Sequence, residues 1–185
     1  MIRRPAVANS FYPADPTTLR RTLSQLLSPL REEKNRVQAR GGLVPHAGYV
    51  YSRKTAGKVY SLLHIPHTVV LLGPNHFVLG PAIATFTSGS WETPLGPVRI
   101  NAHLAQALTA ACPQIIDDPE AHAAEHAIEV QLPFLQYLRP DVTFVPILAR
   151  QVHALPAVPR PPAPHHRVGT GACAVLARAH PRPTW

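Results

Sequence analysis

The feature that most constrains the fold is the alternation of short apolar runs with amphipathic segments through residues 1–150. Thr68–Leu72 is a β-branched and leucine-rich run that Gly73-Pro74 ends, which is typical of a buried strand. After the capping pair Asp15-Pro16, leucines recur at helical spacing and predict a helix over 16–33. Strands that alternate with helices predict an α/β fold in three layers, with a mostly parallel or mixed sheet between flanking helices.

Further elements of the same two kinds follow along the chain. A helix should carry Ala56, Val59, Tyr60 and Leu63 on one face, and Pro133 has to kink or split the last predicted helix. The patterns predict strands at 43–45, 68–72, 82–86, 98–100 and 142–148, and later helices at 102–111 and 122–138.

The composition changes abruptly after residue 150. The 35 residues of 151–185 include seven Pro, seven Ala, four His and four Arg, with no Asp or Glu. Such a segment buries too little apolar surface to offset the entropy lost on ordering. We therefore predict one domain over 1–150 and a disordered Pro/Ala/Arg/His-rich tail over 151–185. The favoured hypothesis for this tail is a frameshift close to residue 150; the alternative is a genuine basic tail.

The charge distribution bears on partners and location. Half of the net charge of +8 lies in the tail, whose arginines are not interleaved with aromatic residues, so nucleic-acid binding is not expected. The chain has no apolar run of about 18 residues and no signal-like apolar segment near its N-terminus. We expect a cytoplasmic location with no membrane association.

Two histidines follow directly on strand-like runs. His46 comes after Leu43–Pro45, and His76 comes after Thr68–Leu72 and its Gly-Pro bend. Parallel pairing of the two strands would bring both imidazoles to one edge of the sheet, where ligands bind in α/β folds. Two imidazoles there can share a metal ion such as Zn, Cu or Fe. The alternative is that each histidine only caps a turn.

A second pattern is His122-Ala-Ala-Glu125-His126, which matches the H-x-x-E-H zinc-peptidase motif. That motif needs both histidines on one helix face and a third ligand farther along the chain, and the last acidic residue here is Asp141. The alternative is a solvated helix start, where Glu125 and Glu129 are favourable because of the helix dipole.

Several aromatic residues lie in predicted loops. They can line a substrate pocket, or they can cover an exposed edge of the core. The set consists of Phe11, Tyr12, Tyr49, Tyr51 and Trp91.

Five ordered motifs carry a family resemblance. The resemblance covers about residues 3–148. Because of these five motifs taken together, the chain resembles the Memo family, whose bacterial and archaeal members are called AmmeMemoRadiSam system protein B. The chain departs from the family pattern at Asn9 and Arg53, where family members have Gly, so the backbone conformation at both positions is open. The motifs are PAVANSFYP at 5–13, VPHAGYVYS at 44–52, LGPNH at 72–76, WETPLG at 91–96 and EHAIEVQLPFL at 125–135.

The resemblance implies a fold like that of class III non-haem iron extradiol dioxygenases such as the LigB group. It maps His46 and His76 onto two metal ligands, with Fe(II) or Cu as the metal. It also implies that residues 125–135 form a wall of the pocket and that His126 is a catalytic acid/base or supporting group.

The resemblance also implies missing parts. Family members are longer, with a later Ser-Ser-Asp-x-x-His segment and a Cys-Gly that supplies a third ligand, and neither occurs here. We therefore expect a C-terminally incomplete fold, a third ligand absent from this chain, weak metal binding and a truncated, inactive product.

Two function classes remain for the intact relative. One is a metal-dependent redox enzyme, dioxygenase-like, that activates O₂ beside a bound substrate. The other is a non-catalytic module that binds a peptide or protein partner in a dioxygenase-like cleft. Fold alone does not decide between them, because function resides in the site.

Overall fold

The structure, a computed structural model, describes residues 1–27 and 32–150 together with the backbone of 172–173. In these ranges it confirms the α/β prediction, with a mixed sheet and flanking helices. The predictions of a disordered tail and of a frameshift concern residues 151–185. These lie outside the described residues except for the backbone at 172–173.

Two long apolar strands form the centre of the sheet. Strand β3 (Thr68–Pro74) pairs in parallel with β8 (Thr143–Ala149) along its whole length. Val69 and Phe144, which pair in this register, are both fully buried. Strand β8 is buried at five consecutive positions, whereas β3 alternates buried with less buried positions and leaves Leu72 41% exposed.

Strand β8 also organises the rest of the sheet. Along its other edge it pairs in parallel with β6 near its beginning and antiparallel with β4 near its end. Strand β5 forms a hairpin with β6, and β1 pairs in parallel with β5. The remaining strands are β1 (Ile2–Arg3), β2 (Val44–Pro45), β4 (Ile83–Thr85), β5 (Ser90–Thr93), β6 (Gly96–Ile100), β7 (Ile115–Asp117) and β9 (Ala172–Cys173).

Helices α1 and α3 each begin at a residue whose side chain caps the helix N-terminus. Asp15 accepts a hydrogen bond from the Thr18 amide at 2.7 Å, and Asn101 accepts one from the Leu104 amide at 3.0 Å. Helix α1 ends at Leu26 with Leu27 as its C-cap, whereas the sequence predicted a helix as far as residue 33. Among the described residues, none of the helices combines the length and apolarity that a bilayer crossing requires. The helices are α1 (Pro16–Leu26), α2 (Tyr49–Leu62), α3 (Ala102–Ala111) and α4 (Leu132–Leu138).

The prediction that a helix covers much of 122–138, kinked or split at Pro133, is confirmed only for α4 (Leu132–Leu138). Two 3-10 turns, Pro119–His122 and Glu129–Gln131, precede α4 and are separated by irregular backbone. Pro133 lies in the first turn of α4, where its missing N–H breaks no helical hydrogen bond. The chain therefore bends between 123 and 128.

The two departures from the family pattern differ in conformation. Asn9 has a φ of 70°, in the left-handed region that Gly favours and Asn tolerates. Arg53 lies within α2, where no such conformation is needed. The unusual backbone is thus confirmed at Asn9 and absent at Arg53.

Candidate metal centre

Three histidines meet at one point of the structure. His46 follows β2, His76 follows β3 by two residues, and His126 lies in the irregular stretch before α4. One ring nitrogen of each lies within 4.8 Å of the others, and the Nε2 atoms of His46 and His76 are 3.3 Å apart. Sequence reasoning therefore selected two residues that the fold brings together.

The reason given for that meeting was incorrect. Strand β2 does not pair with β3 in the described part of the chain; it pairs with β9, while β3 pairs with β8. The imidazoles meet through the loops that follow the two strands.

His126, from the irregular stretch before α4, is the third member of the cluster. Its ring stacks on that of His76, with centroids 4.5 Å apart and planes 14° apart, and its centroid is 5.9 Å from that of His46. The expectation that this chain lacks a third ligand is not supported, because a third imidazole lies within reach. Sequence reasoning had assigned His126 a catalytic acid/base role, which stays a prediction.

Glu125 anchors His76 and selects its tautomer. Its Oε1 lies 2.8 Å from His76 Nδ1, and its Oε2 accepts the His76 amide at 2.7 Å. A carboxylate only accepts hydrogen bonds, so Nδ1 carries the proton and the Nε2 lone pair is left for a metal. Sequence reasoning placed Glu125 in the pocket wall but did not identify this contact.

Glu125 stays ionised although its side chain is only 1% exposed. Burial by itself raises the pKa of this carboxyl group. The hydrogen bonds from the His76 ring and from the amides of Ala127 and His76 outweigh it and hold the pKa below its ordinary value. The centre therefore has a fixed negative charge behind one imidazole.

The other two histidines are held neutral. Burial, and then repulsion from His76 and His126, lowers the pKa of His46 to about 4. Burial likewise lowers the pKa of His126, against the opposing effect of Glu125. Neutral imidazole is the form that binds metal ions.

The spacing of two of the donors, on His46 and His76, fits a metal ion. Metal–nitrogen distances of about 2.0–2.1 Å in tetrahedral geometry place two ligand nitrogens about 3.3 Å apart. The observed separation between His46 Nε2 and His76 Nε2 is 3.3 Å. Three imidazoles with an open position suit Zn, Cu or Fe.

His122 lies away from this cluster. It is fully buried, and its ring packs edge-on against Trp91 at a centroid distance of 5.5 Å. Because the segment bends after residue 122, His122 and His126 do not share a helix face. The H-x-x-E-H peptidase interpretation is therefore not supported.

A second buried carboxylate, that of Glu129, holds the N-terminal segment. It forms an ion pair with Arg3 at 2.8 Å, in which both side chains are almost fully buried. It also accepts hydrogen bonds from the Tyr12 hydroxyl at 2.7 Å and from the amides of Ala6 and Val7. Sequence reasoning missed this network, since it saw only a helix-dipole role for Glu129.

The aromatic set divides into three groups. Phe11 contacts the centre, with its ring edge-on to His126 at 4.7 Å. Tyr12, Tyr49 and Trp91 are buried in the core, whereas Tyr51 is 81% exposed. One member of the set therefore lines the site.

Comparison with known proteins agrees with the five motifs. The family model described as Memo-like protein matches residues 3–155. A MEMO1 family protein of Methanopyrus kandleri is 48% identical over 158 residues, covering 80% of this chain and 56% of the relative. One of Aquifex aeolicus is 45% identical over 148 residues, covering 80% and 54%, and one of Archaeoglobus fulgidus is 45% identical, covering 79% and 53%. The chain spans about half the length of these curated relatives, and it belongs to the Memo family.

Proposed function

We propose that this chain binds one divalent transition-metal ion through His46, His76 and His126, with iron or copper as its resident metal. We further propose that the full-length relatives use this metal in redox chemistry with O₂. The observation that carries the proposal is the convergence of three imidazole nitrogens within 4.8 Å, one of them fixed by a buried carboxylate.

When bound, iron or copper would supply redox chemistry toward O₂ that protein side chains do not provide. The residues of this chain orient and protect that position. Glu125 keeps a proton on His76 Nδ1, and Phe11 covers one side of His126. His46 is only 4% exposed and keeps water from its side of the centre.

The donor set differs from the two-histidine, one-carboxylate arrangement of non-haem Fe(II) oxygenases. Glu125 is the neighbouring carboxylate that could complete such an arrangement. Its Oε1, however, already accepts hydrogen bonds from the His76 ring and from the amides of His126 and Ala127. Imidazole suits both iron and copper, so the three-nitrogen set is compatible with either.

The proposal is tested by titrating the untagged, metal-free chain with Co²⁺ anaerobically and then with Fe²⁺. We expect one equivalent to bind, with visible ligand-field bands from Co²⁺. His46→Ala and His76→Ala should each weaken binding at least tenfold, about 1.4 kcal/mol. His103→Ala is the matched control, because His103 is exposed on α3 and outside the cluster. Equal affinity in all variants, or no stoichiometric binding, would refute the proposal.

The same titration decides the role of His126. If His126 is a ligand, His126→Ala weakens Co²⁺ binding as much as His76→Ala does. If it is the acid/base group that family resemblance implies, the variant keeps its metal affinity and loses only activity in the full-length protein.

A non-catalytic peptide- or protein-binding module is the second candidate. It is favoured by exposed apolar side chains beside two ligand loops: Val50 is 77% exposed, Phe77 52% and Val78 59%. Metal-independent peptide binding would support the module, whereas O₂ consumption that is lost in His76→Ala would support the enzyme.

That this chain is a truncated and inactive product stays a prediction. Its premise of weak binding by two histidines is weakened by the third imidazole. A cooperative unfolding transition together with tightly bound stoichiometric metal would contradict it. Resequencing codons 145–160 and translating the other frames downstream tests the frameshift hypothesis separately.

A further inference from the structure

We infer that the N-terminal segment Arg3–Tyr12 positions the metal centre and that Arg3 is its principal positioning residue. The inference rests on the proposed function, since what the segment positions is the third imidazole, that of His126. Nothing in the resemblance or the comparisons assigns Arg3 a role.

The Arg3 side chain holds the backbone that carries Glu125 and His126. Its Nε donates to the carbonyl oxygen of His122 at 2.7 Å, and its Nη2 donates to that of Glu125 at 2.7 Å. Its Nη1 donates to the Glu129 carboxylate at 2.8 Å. One guanidinium thus holds a stretch whose own backbone hydrogen bonds form only separate turns.

This geometry requires arginine. A guanidinium presents donors in a rigid planar fork, whereas an ammonium group is a compact point charge. The Arg3 fork directs three donors to three acceptors while its carbon Cζ lies 4.1 Å from the centre of the Trp91 ring. A lysine would keep the charge but could not reproduce these directions.

The far end of the segment reaches the centre directly. Glu129 binds the Ala6 and Val7 amides and the Tyr12 hydroxyl, which fixes the turn that carries Phe11. Phe11 then packs edge-on against the His126 ring.

Phe11 also connects the N-terminal segment to the loop that follows His46. The Phe11 carbonyl accepts the Tyr49 amide at 2.7 Å, at the beginning of α2. A Cβ at Gly48 would lie 3.5 Å from Phe11 Cα, in ordinary van der Waals contact, so the two segments are packed neighbours. The segment therefore braces two of the three imidazoles.

The experiment compares Co²⁺ affinity and ligand-field spectrum among wild type, Arg3→Lys and Phe11→Leu. The matched control is Arg4→Lys, because Arg4 is the adjacent arginine and is exposed. We expect Arg3→Lys to bind Co²⁺ at least tenfold more weakly, as outer-shell substitutions do, with a changed band intensity. Arg4→Lys should match wild type in both readouts.

A stability control separates positioning from general destabilisation. Leu23→Ala removes a fully buried side chain of α1 and should lower the denaturation midpoint without changing the Co²⁺ spectrum of the folded protein. If Arg3→Lys does not fold by circular dichroism, Phe11→Leu carries the test, because it alters the contact with His126 and leaves the buried ion pair intact.

The outcomes are distinct. Failure of wild type to bind Co²⁺ would overturn the proposed function and this inference with it. Wild-type binding, with unchanged affinity and spectrum in the folded Arg3→Lys and Phe11→Leu variants, would overturn the inference alone. A spectrum changed equally by Leu23→Ala would also overturn it.

Discussion

Two buried glutamates four residues apart fix different parts of the centre. Glu125 holds the metal-facing histidine His76, whereas Glu129 holds the N-terminal segment through Arg3 and Tyr12. Each carboxylate accepts several hydrogen bonds, which compensates for its removal from water. His126 lies between them in the sequence; its amide donates to Glu125, and its ring contacts Phe11 of the segment that Glu129 holds.

Glu125→Gln is expected to weaken metal affinity about 10- to 100-fold, as outer-shell substitutions do. The amide is nearly isosteric, but its NH₂ group would face a donor, either the His76 ring N–H or the His76 amide. Competition titration with a chromogenic chelator measures the change. Glu120→Gln, at an exposed acid in the same region, is the control and should bind as wild type does. Equal affinity in the two variants would show that Glu125 does not orient His76.

His122 is expected to make folding pH-dependent. Burial, and then the charge of Arg3, lowers the pKa of His122 to about 4 in the folded protein, against about 6.5 in the unfolded chain. Below pH 6.5 the unfolded chain therefore binds more protons, so stability falls as the pH falls toward 4. His122 alone is expected to lower the free energy of unfolding by about 2 kcal/mol between pH 7.5 and pH 5.

Urea unfolding at these two pH values measures this effect. His122→Phe should reduce the difference by about 2 kcal/mol, since phenylalanine suits the aromatic contacts with Trp91 and Phe86 and takes up no proton. The remaining dependence includes the buried His46, whose pKa is also about 4. His103→Gln, at an exposed position on α3, is the control. A His122→Phe variant with the wild-type pH dependence would contradict the assignment.

At the scale of elements, the stretch from Pro119 to Gln131 decides how the site is built. Two 3-10 turns and irregular backbone replace the predicted helix, and the bend sends His122 into the core and His126 toward the metal centre. A regular helix would have put both histidines on one face. Side-chain hydrogen bonds, chiefly from Arg3, supplement the separate backbone turns of this stretch.

Glu129→Ala is expected to destabilise the fold by about 3–5 kcal/mol, because it leaves the Arg3 charge buried without its partner. The midpoint of chemical denaturation measures the loss. The control is Glu32→Ala, which breaks an ion pair with Lys34 of similar length, 2.9 Å, between side chains that are at least 70% exposed. That exposed pair should contribute less than about 1 kcal/mol. Similar losses in both variants would mean that the buried network is not needed for stability.

At the scale of the whole molecule, local sequence patterns predicted several individual strands and helices. The strands at 68–72 and 142–148 were predicted from continuous apolar runs and the helix at 102–111 from its Asn101 cap, and the structure contains all three. Strand β5 was missed, because its four residues carry Trp91 between polar neighbours and have too few apolar positions to show a period.

The site was predicted only in part, for a related reason. His46 and His76 were found because each follows a strand, which is a local signal. The contacts of Arg3 with Glu129 and of Glu125 with His76 join residues 126 and 49 positions apart, and no periodicity reports such pairs. The third imidazole was missed as a donor because the bend that delivers it depends on those contacts.

The separation of Arg3 from Glu129 has a consequence for synthesis. At about 5–20 residues per second, a ribosome makes Glu129 roughly 6–25 s after Arg3, because 126 positions lie between them. During that interval the N-terminal segment has neither its buried carboxylate nor the backbone that it braces. Under the proposed metal binding, an ion that arrives after His76 but before Glu125 has been translated meets two of the three imidazoles, without the carboxylate that orients His76 and without the ring of His126.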